Sequence, residues 1–212
     1  MDIIPIESGP VETIGYLAID SSGGFAVIID APMDSATAFQ SLIDKHNLMI
    51  RSLILTHTHW DHTADALAIR QNSGASVMVH PDDEYRILDP MKHSIFPLPF
   101  TLEAVSADEY ISGGDKIKFG NTELEVIHTP GHTEGSICLV CHDEGIVFTG
   151  DTLFREGFGR TDLPGGSTEK IYESVTKNIL TLPENYKIYA GHGASSTIGH
   201  EKISNPLLMM RP

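Results

Sequence analysis

Short apolar runs separated by turn residues recur along the chain, and they predict an α/β protein. Predicted strands cover residues 2–6, 14–19, 25–29, 50–55, 76–79, 116–119, 123–127, 136–141, 145–148 and 186–190. Helical spacing of apolar residues, or a helix start signal, predicts helices over residues 35–46, with Ser35 as N-cap, 63–71, 82–88 and 167–180. The elements form two strand-rich halves, each closed by helices. This order predicts a four-layered αββα sandwich, with two mixed sheets face to face and helices outside.

The length of the chain sets the expected number of domains. With 212 residues, 41% of them hydrophobic, the chain can bury one substantial core, so we predict a single domain over residues 1–212. No regular pattern is present between residues 89 and 111, where Pro90, Pro97 and Pro99 interrupt a stretch that still contains apolar residues between positions 95 and 100. This segment is either an ordered lid or an irregular surface crossing, and the sequence favours neither.

The net charge, the first residues and the cysteines indicate which partners and which compartment to expect. The chain has 14 Lys and Arg against 29 Asp and Glu, a formal charge of -15, which disfavours binding to nucleic acid or to anionic membranes. The first residues lack the basic and apolar regions of a signal peptide, so we expect a cytoplasmic protein. Cys138 and Cys141 lie in one apolar run and are expected to be buried, reduced thiols.

A cluster of histidines follows the predicted strand 50–55. Within Thr56-His57-Thr58-His59-Trp60-Asp61-His62, three imidazoles and one carboxylate occupy six positions. Imidazole mixed with carboxylate oxygen suits zinc, iron or manganese better than calcium or magnesium. The pattern therefore predicts a metal site at the end of this strand.

Three further signals occur at predicted strand ends. These are Pro130-Gly131-His132-Thr133, then Thr149-Gly150-Asp151, and finally Gly191-His192-Gly193. Glycine suits a backbone that must turn sharply beside a metal, because it lacks a Cβ. Each signal is weak alone, and their common placement makes them candidates to complete the metal site.

The ordered set HxHxDH, PGHT, GD and GHG resembles the metallo-β-lactamase superfamily over nearly the whole chain. The segments 150–154, 159–166 and 197–201, together with Asn205-Pro206, are similar to those of small bacterial glyoxalase II-like hydrolases, also called hydroxyacylglutathione hydrolases. The resemblance implies the αββα fold and two divalent metal ions, zinc first, with iron or manganese as alternatives. Carried over by position, His57, His59 and His132 would bind the first metal, Asp61, His62 and His192 the second, and Asp151 both.

The resemblance also implies a reaction. A metal-bridging hydroxide would attack a small thioester such as S-lactoylglutathione, with Asp61 as the catalytic residue that orients the hydroxide or accepts its proton. Larger glyoxalase II enzymes append a helical region with basic residues for glutathione, and only a short tail follows Gly193 here. A smaller anion site is an alternative, with Arg160 as the candidate substrate-binding residue. An internal pair between Arg160 and Asp162 is equally compatible with the sequence.

Other functions remain open at this point. A persulfide dioxygenase of the same superfamily would use one iron held by His57, His132 and Asp151. A β-lactamase would need a proton donor for an amine leaving group, and no obvious candidate occurs in the sequence. A non-catalytic metal-binding protein is the third alternative, and the oligomeric state is not determined.

Overall fold

A computed structural model describes residues 1–94 and 96–210. It divides into two compact units, which are described separately below. The first contains residues 1–111 and 118–123, and the second contains residues 112–117 and those from 124 onward. That the whole chain forms a single domain stays a prediction.

The first unit contains a six-stranded mixed sheet in the order β1-β2-β3-β4-β5-β6. Its strands are β1 (Asp2–Ser8), β2 (Thr13–Ile19), β3 (Phe25–Ile29), β4 (Met49–Ile54), β5 (Ser76–Val79) and β6 (Glu109–Tyr110). The first three pair antiparallel, and β3 to β6 pair parallel. Parallel pairing aligns the carboxyl ends of β3 and β4, where Ile29 lies opposite Ile54. Residues that follow these two strands therefore start from the same edge of the sheet.

The described α-helices beside this sheet are α1 (Ala36–His46), α2 (Trp60–Thr63), α3 (Ala66–Ser73), α4 (Glu84–Leu88) and α5 (Pro90–His93), and a 3₁₀ turn (Pro81–Asp83) precedes α4. Ser35 occupies the N-cap position of α1, but its hydroxyl donates to the Pro32 carbonyl, 2.6 Å away. Asp65 instead accepts the hydrogen bond from the first amide of the helix, Ala36 N, at 2.8 Å. The capping function predicted for Ser35 is thus supplied by a residue distant in sequence.

The predicted helix over residues 63–71 is divided in the structure. Helix α2 begins earlier, at Trp60, and α3 begins only at Ala66. At this break Ala31 binds both sides: its amide donates to the carbonyl of His62 in α2, and its carbonyl accepts from the amide of Asp65, which precedes α3. These long-range hydrogen bonds compete with a continuous helix, so the periodicity of the segment could not reveal the break.

The second sheet is also mixed and has the order β14-β13-β10-β9-β8-β7. Its strands are β7 (Lys116–Phe119), β8 (Thr122–His128), β9 (Ile137–Cys141), β10 (Ile146–Gly150), β13 (Lys187–Ala190) and β14 (Ser196–Thr197). A separate hairpin pairs β11 (Leu153–Phe154) with β12 (Gly157–Phe158). The sequence did not predict this hairpin or β14, because two-residue strands leave little periodicity.

The helical region predicted over residues 167–180 is confirmed in extent, and its geometry varies. Helix α6 (Thr168–Glu173) is followed by a π-helical turn (Ser174–Asn178) and a 3₁₀ turn (Ile179–Thr181). Ser167 caps α6 by accepting a hydrogen bond from Lys170 N at 3.3 Å. Helix α7 (Ile198–Ser204) and the 3₁₀ turn after it (Pro206–Met209) were not predicted.

Each unit has its own hydrophobic cluster. In the first, fully buried Leu17, Ile28 and Leu53 pack with Phe39 of α1. In the second, Val140, Val147 and Ile188 of the sheet pack with residues of the helices. Both cysteines are unpaired and buried, as expected. The α/β fold class with two mixed sheets and helices is confirmed.

The segment 89–111 is less irregular than its prolines suggest. It contains α5 and β6 at its two ends, and the described residues 96–108 between them form no helix or strand. Residue 95, in this segment, lies outside the described residues. An ordered lid and an irregular surface crossing both stay predictions for this segment. None of the helices in the described residues combines the length and the apolar character that a membrane-spanning helix needs.

Asp20, directly after β2, binds four groups within the first unit. One carboxylate oxygen accepts from Thr122 Oγ1 at 2.6 Å and Asn121 N at 3.1 Å, and the other accepts from the hydroxyl and amide of Ser22. The hydrogen bonds from the side chains of Ser22 and Thr122 lower the pKa of Asp20 from 3.8 to about 2. A carboxylate with a depressed pKa contributes stability above its unfolded-state pKa and loses it as the pH falls toward its folded-state pKa.

We predict that Asp20→Asn destabilises the protein at pH 7 by about 1–3 kcal/mol, since an amide nitrogen cannot accept from Ser22. The difference from wild type should shrink as the pH falls from about 4 toward 2. Urea unfolding across this range measures it. Asp34→Asn, which alters an exposed carboxylate, is the control. A difference that does not depend on pH would contradict this assignment.

Candidate metal centre

In the first unit, four candidate ligands follow the carboxyl end of β4. The His57 ring centroid lies 4.9 Å from that of His59 and 4.1 Å from that of His62. The Nε2 atom of His62 is 3.4 Å from Oδ2 of Asp61. The three histidines are buried, and Asp61 is half-buried. The run that the sequence singled out therefore forms a compact, largely buried cluster within this unit.

Asp30 fixes the start of this cluster from the end of the neighbouring strand β3. Its carboxylate accepts hydrogen bonds from the amide and the hydroxyl of Thr56, both at 2.8 Å. Its Oδ2 atom also lies 2.9 Å from Nδ1 of His62. Asp30 is buried, so these bonds satisfy a charge that is otherwise costly to remove from water.

A second buried aspartate fixes the middle of the cluster. Thr58 donates its amide to Oδ2 of Asp83 at 3.0 Å and its hydroxyl to the Asp83 carbonyl at 2.7 Å. Arg86, also buried, lies 2.9 Å from the other carboxylate oxygen of Asp83. The two threonines that alternate with the histidines thus anchor this loop to two carboxylates.

These partners determine which nitrogen of His62 and His57 can bind a metal. A carboxylate accepts only, so Nδ1 of His62 carries the proton and Nε2 carries the lone pair. Thr56 Oγ1 donates to Asp30, so it accepts from Nδ1 of His57, 3.3 Å away. His57 therefore also presents the Nε2 lone pair. Hydrogen bonds of this type orient the ring and raise the basicity of a metal ligand.

In the second unit, the three candidate ligands come from loops after β8, β10 and β13. Oδ2 of Asp151 lies 3.5 Å from Nε2 of His132 and 3.6 Å from Nε2 of His192. His132 and Asp151 are buried, while the side chain of His192 is 28% exposed. One carboxylate oxygen is thus placed close to both imidazoles of this unit.

His132 is oriented by a backbone group of the loop after β12. Its Nδ1 lies 2.8 Å from the carbonyl oxygen of Arg160, which can only accept, so Nδ1 carries the proton and Nε2 the lone pair. Because the preceding residue is Gly159, this backbone segment can lie close to the His132 ring. A Cβ at position 159 would lie 1.9 Å from the carbonyl oxygen of Asp151 and 2.8 Å from Nδ1 of His132.

Threonines also hold the turn that carries Asp151. Thr149 donates its hydroxyl to the Leu153 carbonyl at 2.7 Å, and the hydroxyl of Thr152 lies 2.9 Å from that of Thr129. Thr129 also contacts the thiol of Cys138 at 3.4 Å. Burial raises the pKa of Cys138 to about 11, so this thiol stays protonated at neutral pH.

The distances between donor atoms fit metal ligation within each unit. Two ligands at about 2.1 Å from a tetrahedral metal lie roughly 3.4 Å apart. The observed separations are 3.4 Å for His62 and Asp61, 3.5 Å for His132 and Asp151, and 3.6 Å for His192 and Asp151. All seven predicted ligands are candidate metal-binding residues of the described chain, and their His and Asp donors fit divalent ions.

The Arg160 side chain forms a two-point ion pair with Asp162. Nε and Nη2 of Arg160 each lie 2.7 Å from a carboxylate oxygen of Asp162, and both side chains are more than half exposed. The pair lowers the pKa of Asp162 to about 2. The internal pair that the sequence allowed is therefore present, and substrate binding by Arg160 stays a prediction.

The supporting residues were missed by the sequence analysis. Asp30, Asp83 and the Arg160 carbonyl contact the ligands or their neighbours across 25 or more positions. Thr13 is a further case, because its hydroxyl donates to Oδ2 of Asp61 at 2.8 Å. The alternation of threonine with histidine in residues 56–59 was the one local signal for such anchoring.

The mixed sheets and the His and Asp clusters define a metal-binding α/β protein. Residues 15–192 match the family model described as the metallo-beta-lactamase superfamily. The chain is 36% identical over 186 residues to the hydroxyacylglutathione hydrolase GloC of Haemophilus influenzae, covering 86% of this chain and 87% of that protein. The chain therefore belongs to the metallo-beta-lactamase superfamily, and its relatives support a metal-dependent hydrolase.

Solved structures agree with this assignment. The crystal structure of the B3 metallo-beta-lactamase BLEG-1 has a TM-score of 0.90 and 32% identity, covering 99% of this chain and 100% of that chain. The structure of TTHA1623 in a di-iron-bound form has a TM-score of 0.77 and 28% identity, covering 96% and 98% of the two chains. The predicted metallo-β-lactamase fold is thus confirmed.

We predict that Gly159→Ala disrupts the second unit's ligands, because its methyl group would overlap the Asp151 backbone and the His132 ring. Overpacking of this kind costs about 1–3 kcal/mol or more. Thermal unfolding and metal content of the purified variant measure the effect. Gly157→Ala is the matched control, since a Cβ there meets nothing closer than 3.6 Å. Equal behaviour of the two variants would refute the steric argument.

Proposed function

We propose that this protein is a binuclear metal-dependent hydrolase of small thioesters, with S-lactoylglutathione as the first candidate substrate. The observation that carries the proposal is the similarity to the hydroxyacylglutathione hydrolase GloC over 86% of the chain. The arrangement of His and Asp donors in each unit is compatible with it.

In this proposal, the ligands follow the superfamily pattern. His57, His59 and His132 would hold the first ion, Asp61, His62 and His192 would hold the second, and Asp151 would contribute to both. Zinc is the first candidate, and the di-iron form of TTHA1623 supports iron as an alternative. When bound, two divalent ions lower the pKa of a shared water toward neutrality and polarise a substrate carbonyl.

The residues of the chain would contribute orientation and proton transfer. The Asp61 carboxylate would orient the attacking water and accept its proton. A thiol has an ordinary pKa of about 8.5, so it leaves as a thiolate without prior protonation, whereas an amine needs a general acid. The proposed ligands, with Asp61 also as the proton acceptor, therefore suffice for thioester hydrolysis.

Arg160 is the proposed contact for an anionic part of the substrate. Its Nε and Nη2 already bind Asp162, so a substrate carboxylate would bind at Nη1. The Asp162 carboxylate would then keep the guanidinium plane fixed while the substrate binds.

We expect the purified protein to contain about two divalent ions per chain and to hydrolyse S-lactoylglutathione. Elemental analysis and release of free thiol from a panel of small thioesters measure these two properties. Removal of the metals by a chelator should abolish turnover, and addition of zinc, iron or manganese should show which ion restores it.

Two outcomes would replace this proposal. A single iron per chain with oxygen uptake on glutathione persulfide would indicate a dioxygenase that uses His57, His132 and Asp151. Hydrolysis of a β-lactam with no thioesterase activity would indicate a lactamase, a candidate favoured by the similarity to BLEG-1.

Asp61→Asn should reduce kcat for thioester hydrolysis by roughly 100-fold or more, the range expected for loss of a positioned proton acceptor. It should also lower the occupancy of the second ion, since an amide is a weaker ligand. Asp34→Asn, at an exposed carboxylate of the same unit, is the control. Wild-type turnover in Asp61→Asn would show that this carboxylate is not required.

A further inference from the structure

The hydroxyl of Thr13 contacts the carboxylate that we assign to the second metal. Thr13 Oγ1 lies 2.8 Å from Oδ2 of Asp61, across 48 positions of sequence. A carboxylate can only accept, so the threonine hydroxyl donates. The same Oδ2 atom is the one that lies 3.4 Å from Nε2 of His62.

Thr13 is itself held firmly. It is the first residue of β2, is buried, and lies opposite Ser8 in the antiparallel pairing of β1 and β2. A β-branched side chain has few χ1 rotamers, so its hydroxyl has a defined direction. The donor is therefore fixed by the sheet, while Asp61 belongs to the short helix α2.

A fixed donor has a specific effect on a carboxylate ligand. The terminal torsion of aspartate is broad, so the carboxylate plane of Asp61 is weakly determined by its own backbone. One hydrogen bond from Thr13 occupies one lone pair of Oδ2 and sets this plane. The other lone pairs of the carboxylate then point in fixed directions.

We propose that Thr13 is a positioning residue that orients Asp61 for binding of the second metal ion. This inference rests on the proposed function, since it takes Asp61 as a ligand of that ion. Thr13 acts through Asp61 and does not itself touch the substrate. Loss of a partner that orients a metal ligand costs roughly 10-fold to 100-fold in metal affinity.

The test compares metal binding by the full chain of wild type, Thr13→Val, Thr13→Ser and Ser8→Ala. Valine keeps the shape and removes the donor, and serine keeps the donor. Ser8→Ala removes a hydroxyl from the opposite strand residue, which donates to the Met33 carbonyl at 2.7 Å and does not bind Asp61. Zinc is removed with a chelator and then titrated back against a chromophoric competitor, which gives the dissociation constant of each ion.

We expect Thr13→Val to weaken the second ion by roughly 10-fold to 100-fold and to leave the first unchanged. Thr13→Ser should restore most of the affinity, and Ser8→Ala should bind both ions as wild type does. Thr13→Ala provides the same comparison if the valine variant does not fold. Wild-type affinity for both ions in Thr13→Val or Thr13→Ala would overturn the inference.

The metal titration separates this inference from the proposed function. Wild-type protein that binds two ions without hydrolysing thioesters would overturn the proposed substrate, and the comparison of Thr13 variants would still decide the inference. Wild-type protein that binds only one ion would overturn the binuclear proposal, and the inference with it. In an active protein, Thr13→Val should lower kcat more than it raises KM, because the substrate contacts are unchanged.

Discussion

The interaction on which the first ligand cluster depends is the set of hydrogen bonds to the buried carboxylate of Asp30. It accepts from the amide and hydroxyl of Thr56 and lies 2.9 Å from Nδ1 of His62. One charge thus fixes both ends of the segment that carries the candidate ligands. Because a carboxylate only accepts, it also selects the tautomer of His62 and, through Thr56, that of His57. The Asp30 carboxylate therefore determines both the conformation of this loop and the tautomers of two candidate ligands.

In the second unit, uncharged groups orient the candidate ligands. The Arg160 carbonyl orients His132, and hydroxyls of Thr149 and Thr152 hold the turn that carries Asp151. Gly159 permits the close approach of two backbone segments that this arrangement requires. In both units the imidazoles of His62 and His132 are bound at Nδ1, which leaves Nε2 for a metal. Such partners are as much a part of a metal site as its ligands.

Much of the fold and of the ligand chemistry was predictable from local sequence. Apolar runs located the longer strands, since a buried strand imposes its pattern on neighbouring residues. The two-residue strands, the division between α2 and α3 and the capping of α1 by Asp65 were not predictable. Each depends on a partner distant in sequence, such as Ala31 for the break before α3. Periodicity contains no information about such partners.

By itself, the sequence determined the α/β class, the residue types at the strand ends and their order, which indicated the metallo-β-lactamase superfamily. These features are local, because the residue type of a ligand and its distance from a strand end depend only on consecutive residues. Only the tertiary structure decided which groups orient those ligands. Thr13, Asp30 and Asp83 carry no motif, and each acquires its function from the strand or helix that places it beside a ligand or the loop that carries it. Hydrogen bonding is short-ranged and directional, so only the folded chain specifies it.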